Sequence, residues 1–288
     1  MEFPEAAVKA VVTLALAEDA ADDDISTRWS VPADLPEQAE IITRQSGVAA
    51  GASVIAAVFA QVDPEVEVRE RVADGSQVEP GDVLVRLSGR ARSLITGERT
   101  ALNLLQRMCG IASLTRRYVA VVTDLPVRIL DTRKTAPGLR ALDKYAVAVG
   151  GGGNHRLNLS AMVLLKENHI AAAGGVTAAI AAVRKGMAEE GRDVLIDVEV
   201  QTVEEAVEAL RAHTSWIMLD NMPVQKIQQV VQARASIADG QGILLEASGA
   251  ITLERIRPIA EAGVDVISVG ALTHSAPALD LSMLLAEA

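Results

Sequence analysis

Six basic side chains, Arg133, Lys134, Arg140, Lys144, Arg156 and Lys166, crowd into residues 131–169 against three acids, Asp131, Asp143 and Glu167. The chain as a whole is acidic, with a formal net charge of -11, yet two of its four histidines, His155 and His169, also fall in this stretch. A local excess of cations in an acidic protein predicts a small anionic ligand. Arginine grips a carboxylate or phosphate through two parallel hydrogen bonds, and lysine acts as a point charge. Arg140, Asp143 and Lys144 recur at helical spacing and read as a solvated helix face. Arg133, Lys134 and Lys166 directly follow apolar runs and read as functional.

Two acids complement them. Glu199 and Asp220 lie inside or at the end of the apolar runs "DVEV" and "IMLD". A carboxylate there is costly to bury unless it meets a cation. Two from adjacent strands suit a Mg²⁺ ion that keeps most of its waters and bridges to a substrate phosphate. A salt bridge to one of the lysines just named is the alternative. Glu246 shares this strand-end placement. In "EASGAITLERI" Ser248 and Gly249 precede a helical pattern, and in "VGALTHS" Gly270 follows the last apolar run. Small residues at such turns let backbone N–H groups approach a phosphate. The glycine run "GGGGNHR" at 150–156 looks like a phosphate loop but lacks the Walker spacing, and a helical pattern precedes it instead of a strand. Gly150 therefore reads as a helix stop with its left-handed turn, and the run as a hinge aiming His155 and Arg156 inward.

The elements that must position these groups come in two textures. Residues 1 to about 115 begin with an amphipathic helix, continue through short Val-rich strands punctuated by Asp74-Gly75 and Pro80-Gly81-Asp82, and end in one long helix with Leu94, Ala101, Leu105, Met108, Ala112 and Val119 on its apolar side. From about 126 onward, short apolar runs alternate with helical stretches: "PVRIL", "MVLLK", "VLIDVEV", "WIMLD", "GILLEASG" and "VDVISVG". That alternation predicts an α/β fold with a parallel sheet closed toward a barrel, whose chemistry sits at the C-terminal ends of the strands.

Composition narrows the class. Half of the residues are apolar and only 2% aromatic, so Ala, Val, Leu and Ile must fill the core. The negative charge argues against binding nucleic acid or an anionic membrane. The single cysteine, Cys109, rules out an internal disulfide and a zinc finger. The N-terminus has no basic segment before its apolar stretch, and no apolar run reaches the roughly 18 residues of a membrane span, so a cytoplasmic protein is expected.

The string "DTRKTAPGLRALDKYAVAVGGGGNHRLNLSAMVLLKENHI", followed in order by "IDVEVQTVEEA", "IMLDNM", "LEASGAI" and "GVDVISVGALTHS" and preceded by "GERTALNLLQRMCGIAS", resembles the quinolinate phosphoribosyltransferase family over essentially the whole chain. The resemblance implies an N-terminal α/β sandwich (1–115, with the tail 276–288 returning to it) and an open, TIM-like α/β barrel of the type II phosphoribosyltransferases (116–275). It implies conversion of quinolinate and 5-phosphoribosyl 1-pyrophosphate to nicotinate mononucleotide, pyrophosphate and CO₂, with Mg²⁺, in NAD biosynthesis. By similarity, Arg133, Lys134, His155, Arg156 and Lys166 bind the two quinolinate carboxylates, joined by Arg99 from the neighbouring subunit of a homodimer. Glu199 and Asp220 engage the ribose and its Mg²⁺, and Ser248, Gly249 and Gly270 seat the 5′-phosphate. Lys134, Lys166, Glu199 and Asp220 form the catalytic set. One departure is the acidic run Asp22, Asp23 and Asp24, where the family carries glycines; it reads as a solvated turn. Three rivals stand beside this reading. One is a paralogous phosphoribosyltransferase-like protein of molybdate transport. Another is a carrier domain suggested by "VADGSQVEPGDVLV", which has no lysine in the turn that would carry a prosthetic group. The third is a non-catalytic metabolite sensor on the same scaffold, against which the intact acid pair counts.

Overall fold

A computed structural model describes residues 2–70 and 72–285. In chain order the first elements are α1 (Glu5–Glu18), α2 (Ile25–Ser30), β1 (Pro36–Thr43), β2 (Gly47–Val48), α3 (Ser53–Val62), β3 (Glu67–Glu70), β4 (Gln77–Val78), β5 (Val83–Arg90) and the long α4 (Ala91–Val121). Then come β6 (Arg128–Leu130), α5 (Arg140–Val149), β7 (Val163–Leu165), α6 (Glu167–Ala173), α7 (Val176–Glu190), β8 (Ile196–Val200) and α8 (Val203–Arg211). The chain ends with β9 (Trp216–Asp220), α9 (Val224–Ala235), β10 (Leu244–Ser248), α10 (Leu253–Glu261), β11 (Val266–Ser268), α11 (Ala271–His274) and β12 (Leu281–Leu285). They divide into two compact units, Met1–Arg116 with Thr135–Gly152 and Leu272–Ala288, and Arg117–Lys134 with Gly153–Ala271.

The first unit holds an antiparallel sheet in the order β12-β1-β5-β3. The period-2 side-chain alternation of β1 and β5 puts Ala39, Ile41, Val85 and Leu87 into its core, and Val54, Ile55, Val58 and Phe59 of α3 are buried as well. Leu94, Ala101, Leu105, Met108 and Ala112 of α4 are buried, as their helical spacing predicts, while Val119 near the helix end is half-buried. Within the acidic run, Asp24 caps α2 by accepting from the Thr27 N–H at 3.0 Å and from the Thr96 hydroxyl at 3.0 Å, while Asp23 pairs with Arg28. The run is thus a helix start tied to α4 as well as a turn.

By its contacts 135–152, including α5, groups with the first unit. One expectation is corrected in this unit. The charged side of α5 is not solvated: Asp143 and Lys144 are 0% and 1% exposed. Asp143 accepts two 2.8 Å bonds from Arg107 of α4 and one from the Ala136 N–H. Helical spacing showed which residues share a face but could not show that another cation covers it.

The second unit is a six-stranded parallel sheet, β6-β11-β10-β9-β8-β7. All six apolar runs of the alternating half become its strands. Its edge strands are β6 and β7, so the sheet does not close through them. Instead Gly153 bridges Leu130 of β6 as a short extra edge, with the Gly153 N–H donating to the Ile129 carbonyl at 2.8 Å. No single helix among the described residues is long and apolar enough to cross a membrane.

Candidate active site

Strand alternation and register place the candidate groups on one face of the parallel sheet. On β8, Asp197 and Glu199 are two residues apart and so project to the same side. Register pairs Asp197 with Trp216 and Glu199 with Met218, Glu246 with Met218, and Ser248 with Asp220. Asp197, Glu199, Asp220, Glu246 and Ser248 therefore share a face. Asp197 and Glu246 are fully buried within it, whereas Glu199 and Asp220 are only half-buried near the C-terminal ends.

Into the deep part of this face projects His155, its side chain 5% exposed. Its Nε2 lies 3.5 Å from Asp197 and 3.3 Å from Glu246, and its ring packs at a tilt on Trp216, centroids 5.5 Å apart. Burial alone would strip the ring of its proton. The two carboxylates outweigh burial and push the imidazole up to about 9, so the ring is charged at neutral pH. Burial, in turn, drives the Asp197 carboxyl above the usual carboxylate range against the pull of His155. Asp197 was not singled out in the sequence, although the alternation from Glu199 would have found it.

The basic groups lie around the same ends. Arg156 donates from Nη1 to the Met162 carbonyl at 3.0 Å, and its guanidinium is pushed below its ordinary range by burial and by the nearby Arg133. Arg133 carries a buried Nε without a hydrogen-bond partner. Two guanidinium groups that repel each other while losing solvent make a site for an anion. Lys134 is exposed just beyond β6, its backbone N–H bonded to the Thr132 hydroxyl. Lys166 sits at the N-terminus of α6, where its N–H donates to the His169 ring at 3.0 Å and its ammonium lies 3.7 Å from Glu199. For Glu199, the salt-bridge alternative weighed from sequence is thus present in the structure. Glu199 also lines a cleft of about 310 Å³ with Glu167, Ile170, Ala171, Gln201 and Glu205.

At the ends of β9 and β10, the Asn221 N–H bonds the Ser248 carbonyl at 2.9 Å and the Asn221 amide donates to Asp220 at 3.0 Å. Asn221, Gly249 and Ala250 all adopt positive φ, 53°, 87° and 43°. Gly249 is required twice over, since a Cβ there would also lie 2.4 Å from the Asn221 amide. Gly270 lies two residues past the end of β11, just before the four-residue α11. The glycine run resolves differently from its sequence reading. Gly150 is right-handed (φ -68°) and the left-handed residue is Gly151 (φ 94°). Gly150 is needed because a Cβ would stand 2.5 Å from the Ala112 carbonyl. Arg99 is exposed on α4, in the first unit.

The chain matches the family models described as quinolinate phosphoribosyl transferase, N-terminal domain, over residues 24–109 and C-terminal domain over 111–284. It is 40% identical to a probable nicotinate-nucleotide pyrophosphorylase (carboxylating) of Bacillus subtilis (strain 168), over 92% of this chain and 89% of that protein. It is 41% identical to the chloroplastic nicotinate-nucleotide pyrophosphorylase (carboxylating) of Oryza sativa subsp. japonica, over 96% of this chain and 77% of that protein. The crystal structure of NadC from Streptococcus pyogenes superposes with a TM-score of 0.91 at 38% identity, covering 99% of each chain.

Proposed function

The chain belongs to the quinolinate phosphoribosyltransferase family, and from that footing we propose how its residues make nicotinate mononucleotide, pyrophosphate and CO₂ from quinolinate and 5-phosphoribosyl 1-pyrophosphate. The observation that carries the assignment of the pocket is the Arg133–Arg156 pair, two crowded, partly buried cations that a ring dicarboxylate would neutralise. Lys134 and Lys166 extend that field, Lys166 toward the acids on β8. With the dicarboxylate held, the ring nitrogen is presented to the ribosyl carbon as pyrophosphate departs, so much of the barrier is met by positioning. The ribosylated ring is a pyridinium. It accepts the electron pair left when the adjacent carboxylate leaves as CO₂, and that ring carbon then takes up a proton. No side chain has to act as a covalent nucleophile.

Glu199 and Asp220 fit Mg²⁺ by the chemistry of their donors: two half-buried carboxylates on adjacent strand ends leave room for water and phosphate oxygens in the shell. When bound, the ion supplies charge neutralisation for the pyrophosphate. Glu199, released from Lys166, and Asp220, steadied by Asn221, would hold it and the ribose hydroxyls. Ser248, Gly249 and Gly270 offer the turns for the 5′-phosphate. We further propose a homodimer in which Arg99 completes the partner's pocket; exposed Trp29 and Leu14 give the first unit apolar surface for a second copy to cover. Cytoplasmic residence fits a lone cysteine whose thiol is buried and pushed up to about 12.

Release of labelled CO₂ from 2-carboxyl-labelled quinolinate, dependent on 5-phosphoribosyl 1-pyrophosphate and Mg²⁺, tests this function against the molybdate-transport paralogue. No release, with the protein folded, would exclude it.

A further inference from the structure

We propose that Asn221 is a positioning residue for the phosphoribosyl side of the site: its amide aims the Asp220 carboxylate and braces the turn at Gly249, so that the two are set as one unit. The inference rests on the reading of Asp220, Ser248 and Gly249 as the groups that receive 5-phosphoribosyl 1-pyrophosphate.

The backbone at residue 221 is what makes this possible. In an extended strand, consecutive side chains point to opposite faces, so residue 221 would turn away from Asp220. Asn221 instead takes φ 53°, in the left-handed region that most residues with a Cβ avoid and asparagine enters more readily. The turn brings its amide back to Asp220, which accepts from Nδ2 at 3.0 Å. The neighbouring strand holds that turn in place. The Asn221 N–H donates to the Ser248 carbonyl at 2.9 Å, one step past the Asp220–Ser248 pair that ends the β9–β10 register. Asn221 is exposed, so core packing gives no reason for the strain.

The kind of donor matters as well. Glu199, the other acid of the pair, faces the Lys166 ammonium at 3.7 Å. Asp220 is steered by a neutral amide, which fixes one oxygen and leaves the negative charge of the group for a cation or for ribose hydroxyls. The same amide also crowds Gly249, whose missing Cβ would stand 2.4 Å from its carbon and oxygen. Gly249 has φ 87°, so the turn after β10 is shaped around the Asn221 side chain. One amide thus meets the acid at the end of β9 and the turn at the end of β10.

Asn221→Gly is the direct probe, because glycine accepts the left-handed backbone and removes only the amide. The KM for 5-phosphoribosyl 1-pyrophosphate should rise about fivefold, with the KM for quinolinate within about twofold of wild type. Calorimetric titration with nicotinate mononucleotide, which carries the ribose and 5′-phosphate without pyrophosphate, should show a Kd weakened by a similar factor. Asn221→Asp keeps the size and the backbone preference but turns the donor into an acceptor. It should show the same selective loss, and it carries the test alone if the glycine variant does not fold. Equal changes in both KM values, a change confined to quinolinate, or wild-type affinities in the folded variants would overturn the proposal. Asp220→Ala separates that outcome from the reading beneath it. If this variant keeps wild-type kinetics and product affinity, Asp220 is not a ligand and the reading itself falls. If it loses them while Asn221→Gly does not, only the positioning role falls.

Discussion

Arg156 and His155 are adjacent in sequence and do different work. In the proposed clamp Arg156 contributes charge-assisted bonds to an anion, each worth about 1.5–3 kcal/mol. Arg156→Ala should therefore raise the quinolinate KM on the order of a hundredfold and leave 5-phosphoribosyl 1-pyrophosphate nearly untouched. Equal losses for both substrates would remove it from the clamp. His155 couples the site to pH through its raised pKa, about 9 against an ordinary 6.5. A proton held more tightly in the folded chain adds stability that is complete below the ordinary value and is lost as pH rises through 9. The raised Asp197 carboxyl acts in the same sense. The gap in thermal midpoint between wild type and His155→Gln should accordingly narrow between about pH 7 and about pH 10. A constant gap would contradict a charged ring. The basic residues were legible in sequence because a cation directly after an apolar run stands out. That Glu246, named from its strand end, and Asp197 both meet His155 was not legible, because contact between β8, β10 and residue 155 depends on register and on the depth of a side chain.

At the scale of elements, the strand ends carry strain at the turns proposed to seat the phosphate. Ala250 holds φ 43° at the turn after β10, a conformation that disfavours any residue with a Cβ. Ala250→Gly removes that clash at some entropic cost in the unfolded chain, and should stabilise the protein by about 1 kcal/mol. Denaturant unfolding measures it, and a destabilised variant would show that the alanine methyl is needed for packing. The same scale explains the reversal at α5. Its spacing suggested a solvated charged face, but Arg107 from α4 covers Asp143 with two hydrogen bonds, and breaking such a buried pair would leave an uncompensated carboxylate. Periodicity reports which residues are neighbours on a helix; it does not report what packs against them.

For the whole molecule the question is whether one chain makes a complete site. Arg99 lies on α4 in the first unit, while Arg133, Lys134, Arg156 and Lys166 belong to the second. If Arg99 serves the partner, then Arg99→Ala mixed with Lys134→Ala should form heterodimers in which one of the two sites is intact. An equal mixture would then recover about a quarter of wild-type activity when subunits exchange freely. No recovery at any mixing ratio would place Arg99 outside a shared site.

By itself the sequence determined the six alternating strands, the long apolar-faced helix, the family and the cationic stretch at 131–169. Each is written in local spacing, in composition or in contiguous motifs, and local rules suffice to read them. Only the tertiary structure decided that 135–152 groups with the first unit. It also decided that Glu199 meets Lys166, that Gly151 takes the left-handed turn, and that His155 stands between Asp197 and Glu246. The side-chain contacts among them join groups 33 to 91 residues apart at a common depth, which only strand register and close packing set. The residues "GGGGNHR" announced a hinge; the packed sheet supplied the two carboxylates that hold its histidine in place.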